Sequence, residues 1–497
     1  MSAAECWTRR GVLAAGLGTA ALPLAAQAAA GRPVLSATPA GRYRGLESGT
    51  GILGFRGIRY ARAERFQPPV PTTRAEQTAD GFGPVCPQKG DRYGPQSEDC
   101  LFLNLWTPAL RSARARPVMV YIHGGAYSAG SVTDPVNDGT ALARDGDVVV
   151  VTVNHRLNIF GYLYQPERFP DSGNAGQLDL IAALQWVRRN VASFGGDPGN
   201  VTVFGQSGGG AKIAAMMAMP AAAGLFHKAI TMSGQQVTAS GPLNAAKRTA
   251  AFRARLGAGV DPATAPVDAL VAALDATDPV LGGGLYMGPV LDMRGLARHP
   301  FWPDAPAQSR AIPMLLGNTV LETRAFYPAD SKQLSGLSWD NLAGRIAPEM
   351  RIDIEPHWVV ARFREHYPQA SPLEQFHRIV TAARSWRGQV EEAEARARQG
   401  TSNSWVYQLD FEGAKHTDDI GLSFGTVPSP TPAQARMSKV VMAAFVRFAR
   451  TGDPGWAPYD LDRRATMVFD TFSRVESDPR SWERQLFARV PYIQPGS

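Results

Sequence analysis

Apolar residues along this chain fall into short unbroken runs separated by longer stretches of helical spacing. Val118–His123 and Asp147–Val153 are apolar without alternation, the pattern of strands buried on both faces of a parallel sheet. Between them and the next run, Leu180, Ala183, Leu184, Val187, Val191 and Phe194 recur at three- and four-residue steps, which predicts a helix over 178–194. Val201–Phe204 is a third buried strand, and the Ala/Met-rich Ala211–Met219 a second helix. Ile312–Gly317 and Trp405–Leu409 predict further strands, and Ser438–Thr451 a further helix. Strand, helix, strand, helix is the signature of an α/β sheet with right-handed crossovers. Short alternating segments punctuated by glycine between Pro33 and Gly57 predict strands and turns ahead of it. The Ala-rich stretch 242–276 and the amphipathic stretch 337–398 are helical in pattern. The second ends in the charged run Glu391–Arg398, a solvated helix face. This long helical middle predicts an insertion that caps the sheet. There is no internal repeat and no separating linker, so residues 31–497 read as one domain.

Composition narrows the picture. Of 497 residues, 44% are hydrophobic and 19% charged, enough apolar material to bury a large core. The net charge of +7 is spread along the chain with no Lys/Arg run, which argues against nucleic acid as a partner. Residues 1–30 read as a targeting segment: Thr8-Arg9-Arg10-Gly11 carries paired arginines, an uncharged run follows, and Ala26-Gln27-Ala28 is a cleavage pattern. The paired arginines predict twin-arginine export to the periplasm or beyond, with a mature start near Ala29 or Gly31. The run is too short and too rich in Ala and Gly to span a bilayer, so no stable membrane insertion is expected. Cys6 leaves with the signal. Cys86 and Cys100 remain, an even pair in an oxidising compartment. Joined, they would close a loop of about fifteen residues, worth ~3 kcal/mol in the chain-entropy model.

The chemistry centres on Gly205-Gln-Ser207-Gly-Gly209. A strand enters this pentad and a helix leaves it, the context of a nucleophile elbow that exposes the Ser207 hydroxyl. A serine nucleophile needs a base and a group that orients the base. Of the eight histidines, His416 lies in a polar loop just after the Trp405–Leu409 strand, where α/β sheets place their sites. His123-Gly124-Gly125-Ala126 ends a strand and can turn backbone N–H groups toward a developing oxyanion, with the N–H of Gly208 completing the hole. For the acid, Glu322 stands just beyond a strand end and gives the chain order Ser, acid, His. Asp292, Asp418 and Asp419 compete with it.

These blocks resemble the type B carboxylesterase family, which includes cholinesterases and bacterial para-nitrobenzyl esterases. The likeness rests on Ser97–Asn104, on His123–Ala126, on Asn154–Leu157 and on Gly173–Gly176 through Phe194–Pro198. The Ser207 elbow and Gly413–His416 complete it, with Gly452–Pro454 and Trp456 as a weaker seventh block. The resemblance implies an α/β-hydrolase fold, with a central mostly parallel twisted sheet flanked by helices and helical insertions capping the active site. It implies a serine carboxylic-ester hydrolase working through an acyl-enzyme on small to medium esters, with no metal and no cofactor. Ser207 matches the nucleophile, Glu322 the acid and His416 the base. Gly125, Ala126 and Gly208 match the oxyanion donors, with Gly124 needed for the turn. Cys86 and Cys100 match the family's first disulfide. Arg156 with Asp179, and Arg65 with Glu98, look like buried structural ion pairs. An amidase or acyltransferase on the same triad, and a non-catalytic binding protein, are the rival readings. Oligomeric state is not legible.

The chain also departs from the family. The elbow usually reads Gly-Glu-Ser-Ala-Gly, and here Gln206 and Gly208 replace the acid and the alanine. Lys212 on the following helix is less usual: it reads as a solvated or ion-paired lysine, or as a cation beside the site that favours acidic substrates. The segment Ala61–Phe66 is short. Tyr127, Phe160, Phe326 and residues 281–302 are candidate pocket liners.

Overall fold

The unbroken apolar runs become the middle of a thirteen-stranded sheet. The computed structural model describes residues 31–496 except Arg74, Ser112 and Pro495, so the expected export signal lies outside the described residues. Four strands open the chain: β1 (Arg32–Thr38), β2 (Gly41–Glu47), β3 (Leu53–Arg59) and β4 (Ala75–Thr78). Then come β5 (Phe102–Thr107), β6 (Arg116–Ile122), β7 (Val149–Val153), β8 (Gly196–Gln206) and β9 (Lys228–Met232). The series closes with β10 (Met314–Thr319), β11 (Ser404–Leu409), β12 (Ala465–Phe469) and β13 (Arg474–Ser477). Their spatial order is β1-β2-β3-β5-β7-β6-β8-β9-β10-β11-β12-β13, with β4 also on β2. From β7 to β12 every pairing is parallel, and the flanking pairings are antiparallel except that β4 runs parallel to β2. Val201 lies opposite Val118 and Val203 opposite Val120, so β8 is covered on both edges and both faces. That is why its sequence shows no alternation.

Helices cover both faces. Ala175–Asn190 and Gly208–Met216 pack Leu180, Leu184 and Ile213 against one. Pro432–Thr451 packs Val441, Phe445 and Phe448 against the other. Truncating one such buried side chain to alanine costs ~2–5 kcal/mol. The helix Pro432–Thr451 begins six residues ahead of the expected Ser438. Thr431 accepts from the Gln434 N–H, Gln434 returns a bond to the Thr431 N–H, and Pro432 takes the first helical position. The apolar period begins later than these caps. The helical stretch between β10 and β11 forms its own small core around Leu342, Phe363, Phe376 and Ile379. It lies against the 3-10 turn Glu322–Ala325, where Thr323 N–H donates to Thr381 Oγ1 at 3.2 Å.

Arg156 and Asp179 meet in the interior with the side chains 3% and 0% exposed. The guanidinium donates to both carboxylate oxygens at 2.8 and 2.7 Å, and the Arg156 N–H adds a third bond at 3.0 Å. Asp179→Asn would strand a buried guanidinium, so it is expected to cost ~3–5 kcal/mol of unfolding free energy measured by urea denaturation. A loss below ~1 kcal/mol would contradict a structural role for the pair. Arg65 and Glu98 also pair, at 2.8 Å, but are 15% and 30% exposed and not fully buried as expected. Arg65 also donates to the Pro262 and Ala265 carbonyls, so the pair ties this segment to a neighbouring loop.

The expected disulfide is absent here. Cys86 and Cys100 are buried as free thiols. Cys86 Sγ accepts the Leu157 N–H at 3.2 Å, and its thiol points to the Pro87 carbonyl. The two thiols are in hydrogen-bond contact, and that contact together with burial pushes Cys100 well above the usual thiol range. Contact brings the sulfurs together, and joining them requires an oxidant as well.

Candidate active site

The C-terminal ends of β6, β8, β9, β10 and β11 lie side by side, and the loops that leave them converge. β8 ends at Gln206 and the next helix starts at Gly208, leaving Ser207 alone in the turn at φ 54° and ψ −123°. Such a backbone is strained for any residue with a Cβ. The neighbours explain how it is held. A Cβ on Gly205 would sit 2.7 Å from the Gly209 carbonyl carbon and 2.8 Å from the Ile122 oxygen, and one on Gly209 would overlap the Ile122 carbonyl. The Ser207 N–H is tied to the Met232 carbonyl at 2.7 Å.

His416 Nδ1 faces Glu322 Oε2 in a short hydrogen bond. The other carboxylate oxygen accepts from Ser233 Oγ at 2.6 Å, from the Thr319 N–H at 2.7 Å and from Asn318 Nδ2 at 3.2 Å. Burial alone would push the Glu322 carboxyl up. His416, Ser233 and Thr319 outweigh it and hold Glu322 below the usual carboxylate range, so it is ionised. With the Nδ1 proton directed at that carboxylate, Nε2 is a lone-pair acceptor. The Gln206 side-chain amide donates to it at 3.1 Å. Ser207 Oγ makes no hydrogen bond to the imidazole among the described residues. Phe326 packs on the ring at 4.7 Å between centroids.

Opposite the serine, Gly125 and Ala126 turn through φ 88° and 53°. Their N–H groups and that of Gly208 donate to no partner among the described residues, so three donors are left open. The loop is braced from behind. Ser128 and Ala129 N–H groups return to the Gly125 carbonyl, and Gln88 holds Gly130 through both its N–H and its carbonyl. His123 Nδ1 meets the Gly124 carbonyl at 2.8 Å. Burial, helped by the nearby Lys212 charge, pushes His123 down to about 3, so it is neutral and donates that bond.

These groups open into a cavity of about 780 Å³. Tyr286 and Phe326 give it apolar wall, and its rim charges are paired: Arg92 with Asp134 and Arg384 with Glu349. Of the expected liners, Phe326 is present and residue 286 represents the stretch 281–302. Tyr127 and Phe160 are not liners: their side chains turn inward and are packed in the core. Lys212 is neither solvated, nor ion-paired, nor in the cavity. It is 0% exposed and donates to the Ala126 carbonyl at 2.6 Å. The competing acids are otherwise engaged. Asp292 caps the N–H groups of Arg294, Gly295 and Leu296, Asp418 accepts from the Lys415 N–H, and Asp419 accepts from Tyr407. Sequence reasoning missed Ser233. Its signal was its place directly after β9, the same strand-end position that marked the other groups.

The carboxylesterase family model matches residues 35–482. A para-nitrobenzyl esterase of Bacillus subtilis is 34% identical over 495 residues, covering 90% of this chain and 97% of its own. A fumonisin B1 esterase of Sphingopyxis macrogoltabida is 36% identical over 333 residues, 62% of this chain and 60% of its own. A solved Geobacillus stearothermophilus carboxylesterase superposes with a TM-score of 0.79 at 34% identity, covering 91% of this chain and 99% of that one. An elbow, a buried carboxylate–imidazole pair and an open set of N–H donors on a mostly parallel sheet thus come with matching relatives along nearly the whole described chain: it belongs to the carboxylesterase family, with the α/β-hydrolase fold, and is a serine carboxylic-ester hydrolase.

Proposed function

We propose that Ser207, His416 and Glu322 are the catalytic triad and that Gly125, Ala126 and Gly208 form the oxyanion hole. The observation that carries this is the convergence of a strained Ser207, a carboxylate-bound His416 and three open N–H groups on one cavity. On substrate binding, Ser207 Oγ takes the Nε2 lone pair from the Gln206 amide. It then attacks the ester carbonyl as His416 accepts its proton. The ionised Glu322 keeps the imidazole in the required tautomer and stabilises its cation. The carbonyl oxygen becomes an oxyanion on the three N–H groups, each worth ~3–4 kcal/mol at the transition state. His416 protonates the leaving alcohol. Water then repeats the cycle on the acyl-enzyme and releases the acid.

The paired rim charges and the Tyr286–Phe326 wall support neutral esters of small to medium size. Turnover of p-nitrophenyl esters of graded acyl length should peak at short to medium chains, with the matched p-nitroanilide slower by ~10²-fold or more. Equal rates on ester and anilide would favour an amidase. Acidic half-esters turned over faster than their neutral counterparts would overturn the neutral-substrate reading.

Export by the twin-arginine route belongs to the same proposal, supported by Arg9-Arg10 and Ala26-Gln27-Ala28. An oxidising compartment is also the condition under which the touching thiols of Cys86 and Cys100 would join. The exported protein should then weigh about 2 Da less by intact mass than its fully reduced form.

A further inference from the structure

Lys212 is a buried ammonium with no carboxylate partner among the described residues. Its Nζ donates to the Ala126 carbonyl at 2.6 Å and lies 5.0 Å from the centre of the Tyr127 ring. Its burial is complete, at 0% exposure. Uncompensated buried charge is costly, so the position calls for a reason. The carbonyl it holds belongs to a residue in the left-handed region, with Ala126 at φ 53°. That carbonyl also occupies the space where a Cβ on residue 208 would stand, so any side chain at Gly208 would overlap it. The two departures on the C-terminal side of the nucleophile therefore describe one device. Gly208 opens room for the Ala126 carbonyl, and Lys212 anchors it there.

We propose that Lys212 is a positioning residue of the oxyanion hole, which locks the Gly125–Ala126 donors by gripping the Ala126 carbonyl from behind. It rests on the assignment of those donors given above. Lys212 touches no substrate and acts through the loop. A charged donor makes a stronger hydrogen bond than a neutral one, so the grip weakens when the ammonium loses its proton. The groups around Lys212 make that loss accessible. Its own helix carries no other ionisable side chain. The helix Ala175–Asn190 faces it with Gln177, which donates to the Lys212 carbonyl, while Asp179 is committed to Arg156. His123 and His155 stack at 4.6 Å nearby, and both are held neutral by burial and by the lysine's own charge. Tyr127 is pushed up by burial and stays protonated. Burial accordingly pulls the Lys212 ammonium down to about 7.

The test compares the parent enzyme with Lys212→Met, which keeps the stem and removes the donor, and with Lys212→Gln, which keeps an uncharged donor. With p-nitrophenyl butyrate, Lys212→Met should lower kcat by ~10- to 100-fold at pH 6, with KM within about twofold. The parent-to-Met ratio of kcat should shrink by ~10-fold between pH 6 and pH 9, as the parent loses its charge. Lys212→Gln should recover part of the loss, with a ratio that no longer shrinks. Folded variants with kcat and pH profiles within twofold of the parent would overturn the proposal. So would failure of both variants to fold, which would make the lysine a structural prop. Labelling of the parent by a fluorophosphonate probe separates the two readings. No label on Ser207 would fault the triad assignment, whereas a labelled parent with unaffected variants would fault only Lys212.

Discussion

Ser207→Ala is expected to lower kcat on p-nitrophenyl butyrate by ~10⁶-fold while the protein stays folded. Removing a serine nucleophile of this kind leaves only the ~10³- to 10⁴-fold contribution of the oxyanion hole and binding. The structure separates the chemical loss from a structural one. Ser207 is held by its backbone, through the N–H bond to Met232 and the carbonyl bond from Ala211. Its hydroxyl makes no hydrogen bond among the described residues, so its removal leaves no buried partner unsatisfied. Stability should therefore change by less than ~0.5 kcal/mol. Fluorophosphonate labelling should vanish in parallel. Turnover within tenfold of the parent, in a variant that melts at the parental temperature, would remove Ser207 from the mechanism.

The parallel strands were legible because burial on both faces leaves no polar position to break the run. The residues proposed as the triad stood out because each sits past such a run, where the loops that build sites in α/β sheets emerge. Some features had no local signal at all. Gln206 meets His416 across 210 residues of chain, and Lys212 meets the Ala126 carbonyl across 86. Neither contact follows from spacing, because each depends on the path of a loop held by other residues. The inward turn of Tyr127 and Phe160 belongs to the same class. A residue beside a catalytic loop in sequence can face either the cavity or the core, and here the fold sends both to the core. Gln88, which fixes Gly130, shows how far from the chemistry the loop's brace begins. The redox state of Cys86 and Cys100 was not legible for a different reason: it depends on the surroundings of the chain as well as on its path.

Glu322→Gln should lower kcat by ~10⁴-fold with the site's geometry nearly intact. Three donors, from Ser233, Asn318 and the Thr319 N–H, converge on Oε1. In the variant, the amide oxygen is the group that can accept all three, so it takes that place. The amide NH₂ is then turned toward His416 Nδ1. A donor there forces the imidazole into the tautomer with its proton on Nε2, which then cannot accept the serine proton. The negative charge that would stabilise the imidazolium is lost as well. Since Glu322 is held below the usual carboxylate range, the parent keeps that charge throughout the neutral region. The stability that this ionisation contributes is present above the unfolded carboxyl's pKa of ~4.3 and is lost as pH falls through the lower folded value. Asp419 supplies the control. It is buried three residues from His416 and pushed up to about 7 by burial and by the Glu322 charge, yet its hydrogen bond goes to Tyr407 at 3.0 Å. Asp419→Asn should stay within about tenfold of the parent. If instead Glu322→Gln were mild and Asp419→Asn severe, the acid of the triad would have to be reassigned to Asp419.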